Sequence, residues 1–189
     1  MDAASLVAKE HHIKSENIEA INIGLNSFAY QLCIPEEVKH KPKTIVDAQF
    51  SVPYGVVVAL ADPKVLLSHY SDEAIKRPDL LALLQRVHSE VDPEIEKVSE
   101  LKAASFARVR VKTKDGKEYE KKVEVPKGHS RNPMTNEELA DKFRDCAANA
   151  ARPLAKDNVE KAIELLFNLE EVDDVRQIVA LLSPSGGED

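Results

Sequence analysis

The chain has 189 residues, of which 43% are hydrophobic and 31% are charged, and its formal net charge at pH 7 is −7. This length suits one domain or one and a half, and the composition is that of an ordinary globular protein. The sequence shows no basic face for nucleic acid, no apolar run near the ~20 residues of a membrane span and no secretory signal, so we predict a cytoplasmic protein without nucleic-acid or membrane partners.

The chain begins with a predicted helix over residues 2–12 and a turn over residues 15–17. Residues 18–25 then alternate between apolar and polar side chains, which is typical of a half-buried strand. Residues 28–33 are predicted to form a helical turn, which Pro35 ends.

The second half of residues 44–60 is apolar on every side, so the element that it forms is expected to be buried all round. Three consecutive valines favour a strand. Ser51 as an N-cap, with Pro53 in the first turn, favours a helix that runs to Ala61. We predict the helix. Three polar side chains lie near the N-terminal end of this buried element, where a core element would normally begin with aliphatic residues. They indicate a functional site and are Gln49, Ser51 and Tyr54.

Short elements are predicted to follow this helix. Residues 64–70 form a short helix or turn, and residues 71–73 open another helical piece. A further helix is expected over residues 79–86, after Pro78. Residues 87–91 are then long enough for one short strand.

A β-hairpin is predicted over residues 105–125. Residues 105–113 alternate strictly, residues 114–117 contain the Asp-Gly pair of a tight turn, and residues 119–125 return. The basic side chains of the first strand are Arg108, Arg110 and Lys112. They could attract a carboxylate or nucleic acid, but they are interleaved with glutamates, so we predict cross-strand pairing on a solvated face.

Everything after the polar loop over residues 127–133 reads as helical. Thr135 and Glu138 have the spacing of a capping box at the start of the first helix. Asp157 is predicted to cap the second helix, and the third carries apolar side chains over residues 175–182.

These elements predict an α+β fold with a small antiparallel sheet and flanking helices. We expect residues 1–133 to form this domain, residues 134–183 to form three C-terminal helices and residues 184–189 to be a disordered tail. Three short helices make a small core, so we predict that they belong to a larger helical domain. The alternative is a self-contained bundle docked on the sheet.

The chain contains no recognisable nucleotide-binding, zinc-protease or hydrolase motif. Cys33 and Cys146 lie far apart without CxxC spacing, so we predict two reduced cysteines. The adjacent His11 and His12 side chains would diverge by ~100° on a helix. The sequence therefore predicts no metal site.

Several segments, taken in order, resemble the C-terminal half of the MmgE/PrpD family. The resemblance covers roughly residues 2–182, and its most specific part is Ala48-Gln49-Phe50-Ser51-Val52-Pro53-Tyr54. Further matching segments are Asp2-Ala3-Ala4, Asn17-Ile18-Glu19-Ala20-Ile21, Gly128-His129-Ser130-Arg131-Asn132-Pro133-Met134-Thr135 and Glu138-Leu139-Ala140-Asp141-Lys142-Phe143. Each segment by itself is weak evidence for the family, but the occurrence of all of them in the same order makes the resemblance strong.

The resemblance implies proton movement next to a carboxylate, without a metal or organic cofactor. The family includes 2-methylcitrate dehydratases, cis-aconitate decarboxylases and iminodisuccinate epimerases, so the implied substrate is a small polycarboxylate. Family members have a large helical domain and a smaller α+β lid, with the active site at their junction. Residues 1–133 resemble the lid. Most catalytic histidines and lysines of the family belong to a helical N-terminal portion that this sequence lacks, so the chain is expected to be inactive without that portion or subunit.

By this resemblance, Tyr54 matches an active-site tyrosine of the lid, and its phenol could donate a proton or hold a substrate oxygen. Gln49 and Ser51 are neighbours that could bind substrate, as could His129 and Arg131 on the loop before the C-terminal helices. The structural alternatives are a core tyrosine with its hydroxyl bonded to the main chain, a helix cap at Ser51 and solvated loop residues.

Two functions remain open at this point. One is a lyase or isomerase region, and the other is a non-catalytic binding or assembly module that retains the lid fold. In either case the apolar stripes of the terminal helices predict self-association into a homo-oligomer.

Overall fold

A computed structural model describes residues 1–62, 64–102, 106–152 and 154–183. The chain divides into two compact units, Met1–Asn132 and Pro133–Asp189. The predicted disordered tail over residues 184–189 lies outside the described residues, as does the predicted first residue, 105, of the hairpin.

The first unit combines one sheet with short helices. Its elements are α1 (Asp2–Glu10), β1 (Ile18–Leu25), α2 (Ser27–Tyr30), α3 (Glu36–Lys39), α4 (Ile45–Gln49), α5 (Val52–Ala61), α6 (Pro78–Leu84), β2 (Val87–Val91), α7 (Pro93–Lys102), β3 (Ala107–Thr113) and β4 (Glu118–Val123). Short 3₁₀ turns occupy Ser15–Asn17, Gln31–Cys33, Leu67–Tyr70 and Ala74–Lys76.

The sheet has the strand order β2-β1-β3-β4. β1 pairs antiparallel with β3 and β3 pairs antiparallel with β4, but β2 runs parallel to β1. The predicted α+β class is confirmed, whereas the prediction of a wholly antiparallel sheet is wrong. The helices between β1 and β2 carry the chain back across the sheet, and such a crossover returns the next strand in the parallel direction.

The hairpin forms as predicted, with Gly116 at a positive φ in its turn. Val109 and Val111 of β3 are buried in the core. The other face of the hairpin carries ion pairs between Arg110 and Glu120 and between Lys112 and Glu19 of β1. The prediction that this basic row is paired on a solvated face is confirmed for Arg110 and Lys112, but it is wrong for Arg108, whose side chain is 12% exposed and pairs with the buried Asp92.

The central helix α5 is the most buried element of the unit, as its sequence predicts. Residues 53–60 are all buried, and α5 contacts α1 on one side and α6 on another. Its side chains form one hydrophobic cluster with the inner faces of β1 and β3. Because burial on all sides leaves no polar stripe, α5 is placed by tertiary packing and by its N-terminal cap.

The second unit contains three helices, α8 (Asn136–Ala148), α9 (Lys156–Phe167) and α10 (Arg176–Leu182), with a 3₁₀ turn at Leu169–Glu171. The predicted capping box of Thr135 and Glu138 is confirmed at the start of α8. The predicted cap at Asp157 is wrong, because Ala155 is the N-cap of α9 and Asp157 lies in its first turn. There its carboxylate still suits the positive end of the helix dipole.

The core of this second unit is small. The buried hydrophobic side chains among its described residues are Ala140, Ala147, Val159, Ala162, Ile163 and Ile178. Leu139 of α8 is 45% exposed. None of the helices in the described ranges is long and apolar enough to cross a membrane.

Candidate functional site at the start of the central helix

Ser51 joins the start of α5 to α3. Its hydroxyl accepts a hydrogen bond from the Tyr54 main-chain N–H at 3.1 Å and donates one to the Lys39 carbonyl at 2.9 Å. The Lys39 ammonium in turn donates to the Phe50 carbonyl at 2.7 Å. Ser51 therefore acts as the helix cap that its position predicts, and its hydroxyl has both its donor and an acceptor site occupied.

The Tyr54 side chain is fully buried. Its hydroxyl donates a hydrogen bond to the His69 main-chain carbonyl at 2.6 Å, and its ring packs edge-on against Tyr70 with 5.6 Å between centroids. Burial raises the pKa of Tyr54 to about 12. The phenol is therefore neutral at physiological pH, where it can donate a proton or a hydrogen bond but cannot act as a base.

A polar network holds the segment that contacts Tyr54. The Leu66 N–H donates to His69 Nδ1 at 3.0 Å, and His69 Nε2 lies 3.1 Å from Asp62 Oδ2. Arg77 donates to the same Asp62 oxygen at 2.9 Å and to Asp79 at 2.7 Å. The hydrogen bonds from Arg77 hold the pKa of Asp79 below its usual range.

Sequence reasoning missed this network. Its members lie on a helix end, a 3₁₀ turn and the start of α6, so no local spacing connects them. Asp62 directly follows the buried helix, and it was the one residue whose position could have indicated the network. A carboxylate at the end of an apolar element needs a partner. The network fixes the carbonyl that receives the Tyr54 hydrogen bond.

Gln49 is exposed at the end of α4, two residues before the cap of α5. The Gln49 side chain is exposed, whereas the Ser51 and Tyr54 side chains are buried. The structure thus brings Ser51 and Tyr54 into direct contact and leaves Gln49 beside them on the outside.

His129 and Arg131 lie together on an exposed loop. The Arg131 N–H donates to His129 Nδ1 at 3.1 Å, and Gly128 takes the positive φ that this tight loop needs. The Lys127 N–H donates to the Asp2 carboxylate at 2.6 Å, which ties the loop to the start of α1. Among the contacts of the described residues, none joins His129 or Arg131 to Ser51 or Tyr54.

Two surface depressions lie away from these residues. One of about 420 Å³ lies between the end of α1 and the β3–β4 turn, and one of about 630 Å³ lies between residues 41–43 and α6. His11 borders the first depression and stacks on Tyr119, with 4.4 Å between ring centroids. No group of three or more His, Cys, Asp or Glu side chains in the described part is arranged to hold a metal ion.

The raised pKa of Tyr54 predicts a loss of stability at alkaline pH. An ordinary tyrosine releases its proton near pH 10. Above that pH the unfolded chain has lost a proton that the folded chain keeps up to about pH 12, so folding stability decreases as pH rises through this window. Denaturant unfolding from pH 9 to pH 11 should show a decrease about 1.4 kcal/mol larger for the wild type than for Tyr54→Phe. Equal decreases in the two proteins would contradict the assigned environment of the phenol.

Comparisons with known proteins agree with these sequence patterns. A model of the MmgE/PrpD C-terminal domain matches residues 1–169. The chain is 27% identical over 141 residues to the cis-aconitate decarboxylase of Mus musculus, covering 75% of this chain and 28% of the relative. It is 30% identical over 137 residues to the cis-aconitate decarboxylase of Homo sapiens, covering 72% of this chain and 27% of the relative. The chain thus spans little more than a quarter of the length of these two curated relatives.

Proposed function

The chain belongs to the MmgE/PrpD family, and we propose that it is the C-terminal part of a lyase or isomerase of this family that acts on a small polycarboxylate. The observation that carries the proposal is the family match over residues 1–169 together with relatives that are cis-aconitate decarboxylases. Cis-aconitate is itself a polycarboxylate, which supports the substrate class.

Tyr54 would act in this reaction as a neutral donor. Its pKa of about 12 keeps the phenol protonated, so it can give a proton to carbon or hold a carboxylate or carbonyl oxygen. Its hydroxyl is already bonded to the His69 carbonyl and has no exposed surface. A substrate oxygen must therefore take the place of that carbonyl, which requires the 66–70 segment to shift.

The exposed candidate residues would bind the substrate rather than react with it. Arg131 can form two parallel hydrogen bonds to a carboxylate, and His129 beside it can add a third. Gln49 offers an amide near the start of α5. The Ser51 hydroxyl is already engaged in the cap, so its contribution is to hold the Tyr54 main chain in place.

We expect the chain to be inactive by itself, because it covers only 27–28% of its relatives. The rest of the site would come from a helical portion, attached or separate, and the whole would form homo-oligomers. A second candidate function is a binding or assembly module without chemistry. The fully buried Tyr54 hydroxyl, satisfied by a main-chain carbonyl, favours that alternative.

A fusion protein would test the enzyme proposal. The chain replaces the matching segment of the human cis-aconitate decarboxylase, and consumption of cis-aconitate and of 2-methylcitrate is followed by NMR. We expect turnover of one of these substrates by the fusion and none by the isolated chain. The unmodified human enzyme is the control for the assay. A folded, monodisperse fusion that turns over neither substrate would support the non-catalytic module instead.

A further inference from the structure

The larger of the two surface depressions described above, about 630 Å³ in volume, combines apolar and basic side chains. We call it the α6 depression, because residues of α6 and of the 3₁₀ turn before it line one side and residues 41–43 line the other. Its apolar part consists of Pro42, Ile75, Leu81 and Ala82. Its polar part consists of Lys41, Lys43, Lys76 and Gln85. Small-molecule sites have volumes of roughly 300–1,000 Å³ and pair an apolar lining with a few polar groups, so both size and composition fit.

Both sides of the α6 depression are held in place by the main chain. On one side, the Lys43 N–H donates to Asp47 Oδ2 at 3.1 Å, and the ring of Pro42 fixes the φ angle of the preceding position. On the other side, the Lys76 N–H donates to the Glu73 carbonyl at 3.1 Å. The depression is therefore preformed, which lowers the entropic cost of binding a ligand.

The three lysines of the α6 depression are exposed, and none of them forms an ion pair within the described part of the chain. On the sheet, by contrast, Arg110 pairs with Glu120 and Lys112 pairs with Glu19. The chain has 33 acidic and 26 basic residues, so carboxylates are in excess and the lack of partners is a local property of this depression. Three unpaired ammonium groups around one concave surface attract an anion.

Carboxylates close to these lysines in the sequence already have other partners. Asp47 completes the capping box at the start of α4. Hydrogen bonds from its own main-chain N–H and from Ser71 hold the pKa of Glu73 below its usual range, and the lysine three residues later adds only a smaller effect. Asp79 accepts a hydrogen bond from Arg77 at 2.7 Å. The positive charge of the depression is thus left for an external anion.

We propose that the α6 depression binds an alkyl carboxylate, with the alkyl chain on the apolar part and the carboxylate at the three lysines. A fully polar anion would leave Ile75, Leu81 and their apolar neighbours in contact with water, and a neutral alcohol would leave the ammonium groups without a counter-charge. The amide of Gln85 can donate a further hydrogen bond to the carboxylate. This inference is independent of the proposed function, because the depression contains none of the residues assigned to the reaction.

Titration of the 189-residue chain with decanoate, followed by calorimetry and by NMR of the main-chain amides, tests the proposal. Decanoate should bind saturably at one site and shift the amide signals of Lys43, Lys76 and Ala82. Decanol lacks the charge and citrate lacks the apolar chain, so each should bind at least about tenfold more weakly. Octanoate should bind about fourfold more weakly than decanoate, because it loses two CH₂ groups that are half-buried in an open depression.

Variants of exposed residues locate the site without endangering the fold. Lys41→Ala combined with Lys76→Ala should weaken decanoate binding about fivefold or more. Lys14→Ala combined with Lys114→Ala is the matched control, because these two exposed lysines border the depression of about 420 Å³, and the dissociation constant should not change. Ala82→Glu places a carboxylate at an exposed position of α6 and should abolish binding, while glutamate remains a good helix former.

The proposal would be overturned by an unchanged dissociation constant in the Lys41→Ala, Lys76→Ala variant, or by an equal loss in its control. Decanol that binds as tightly as decanoate would show that charge plays no part, and citrate that binds as tightly would show that the apolar part plays none. Either result refutes the proposal. Decyl phosphate that binds about tenfold more tightly than decanoate would assign a phosphate head group and refute the carboxylate.

Discussion

Replacing Tyr54 by phenylalanine is expected to lower the turnover of an active fusion about a hundredfold or more, because a proton donor in the transition state contributes roughly 10²–10⁴-fold. The same change removes a buried hydrogen bond of 2.6 Å and leaves the His69 carbonyl without that donor. A buried group that loses its partner costs about 1–3 kcal/mol of folding free energy. The two effects must therefore be measured separately.

The measurements are kcat and KM of the fusion and the free energy of unfolding of the isolated chain. Tyr30→Phe is the matched control, because Tyr30 is a half-buried tyrosine of the same unit outside the network around His69. A catalytic Tyr54 gives a large decrease in kcat for Tyr54→Phe only. If Tyr54→Phe loses stability but keeps full turnover, Tyr54 is a core tyrosine and its predicted catalytic role is wrong.

Replacing Asp92 by alanine is expected to destabilise the first unit by about 3–5 kcal/mol, since it removes one partner of a buried ion pair. Asp92 Oδ2 accepts from Arg108 at 2.7 Å, and the exposed fractions of the two side chains are only 7% and 12%. Its other oxygen accepts from the N–H groups of Glu94 and Ile95 and so caps α7. Gly24 makes room for this carboxylate, because a Cβ there would lie 3.0 Å from Asp92 Oδ2.

Glu19→Ala is the matched control for Asp92→Ala. Glu19 forms an ion pair of similar length, 2.8 Å, with Lys112, but the two side chains are 47% and 40% exposed. Exposed pairs contribute about 0–1 kcal/mol, so the control should change the unfolding free energy by less than that. Urea unfolding followed by circular dichroism measures both variants. Similar losses for the two would show that the burial of Asp92 does not determine its contribution.

Several features of the fold could be predicted because they depend on neighbours in the sequence. The hairpin follows from alternation on either side of an Asp-Gly turn, and α8 begins at a capping box whose two members are three positions apart. The start of α5 follows from Ser51 and Pro53. The wrong cap at Asp157 shows the limit of this reasoning, because a helix can begin at any of several adjacent residues and Ala155 begins α9 without a side-chain cap.

The candidate site was predicted only in part. Ser51 and Tyr54 are three residues apart on one helix turn, so their contact is local and the sequence indicates it. The roles of Gln49, His129 and Arg131 stay predictions, since the described contacts do not connect them to Tyr54. The Asp62, His69 and Arg77 network could not be predicted, because its residues lie at the end of α5, on a 3₁₀ turn and at the start of α6 and meet only in the folded unit.

The sequence by itself determined the class of fold, the family and the buried character of the central helix, since these depend on local periodicity, caps and the order of motifs. Tertiary structure alone decided that β2 runs parallel to β1, because strand direction depends on the path of the connecting helices across the sheet. It also decided where the Tyr54 hydroxyl points. A buried donor binds the nearest available acceptor, and packing placed the His69 carbonyl there, 2.6 Å away.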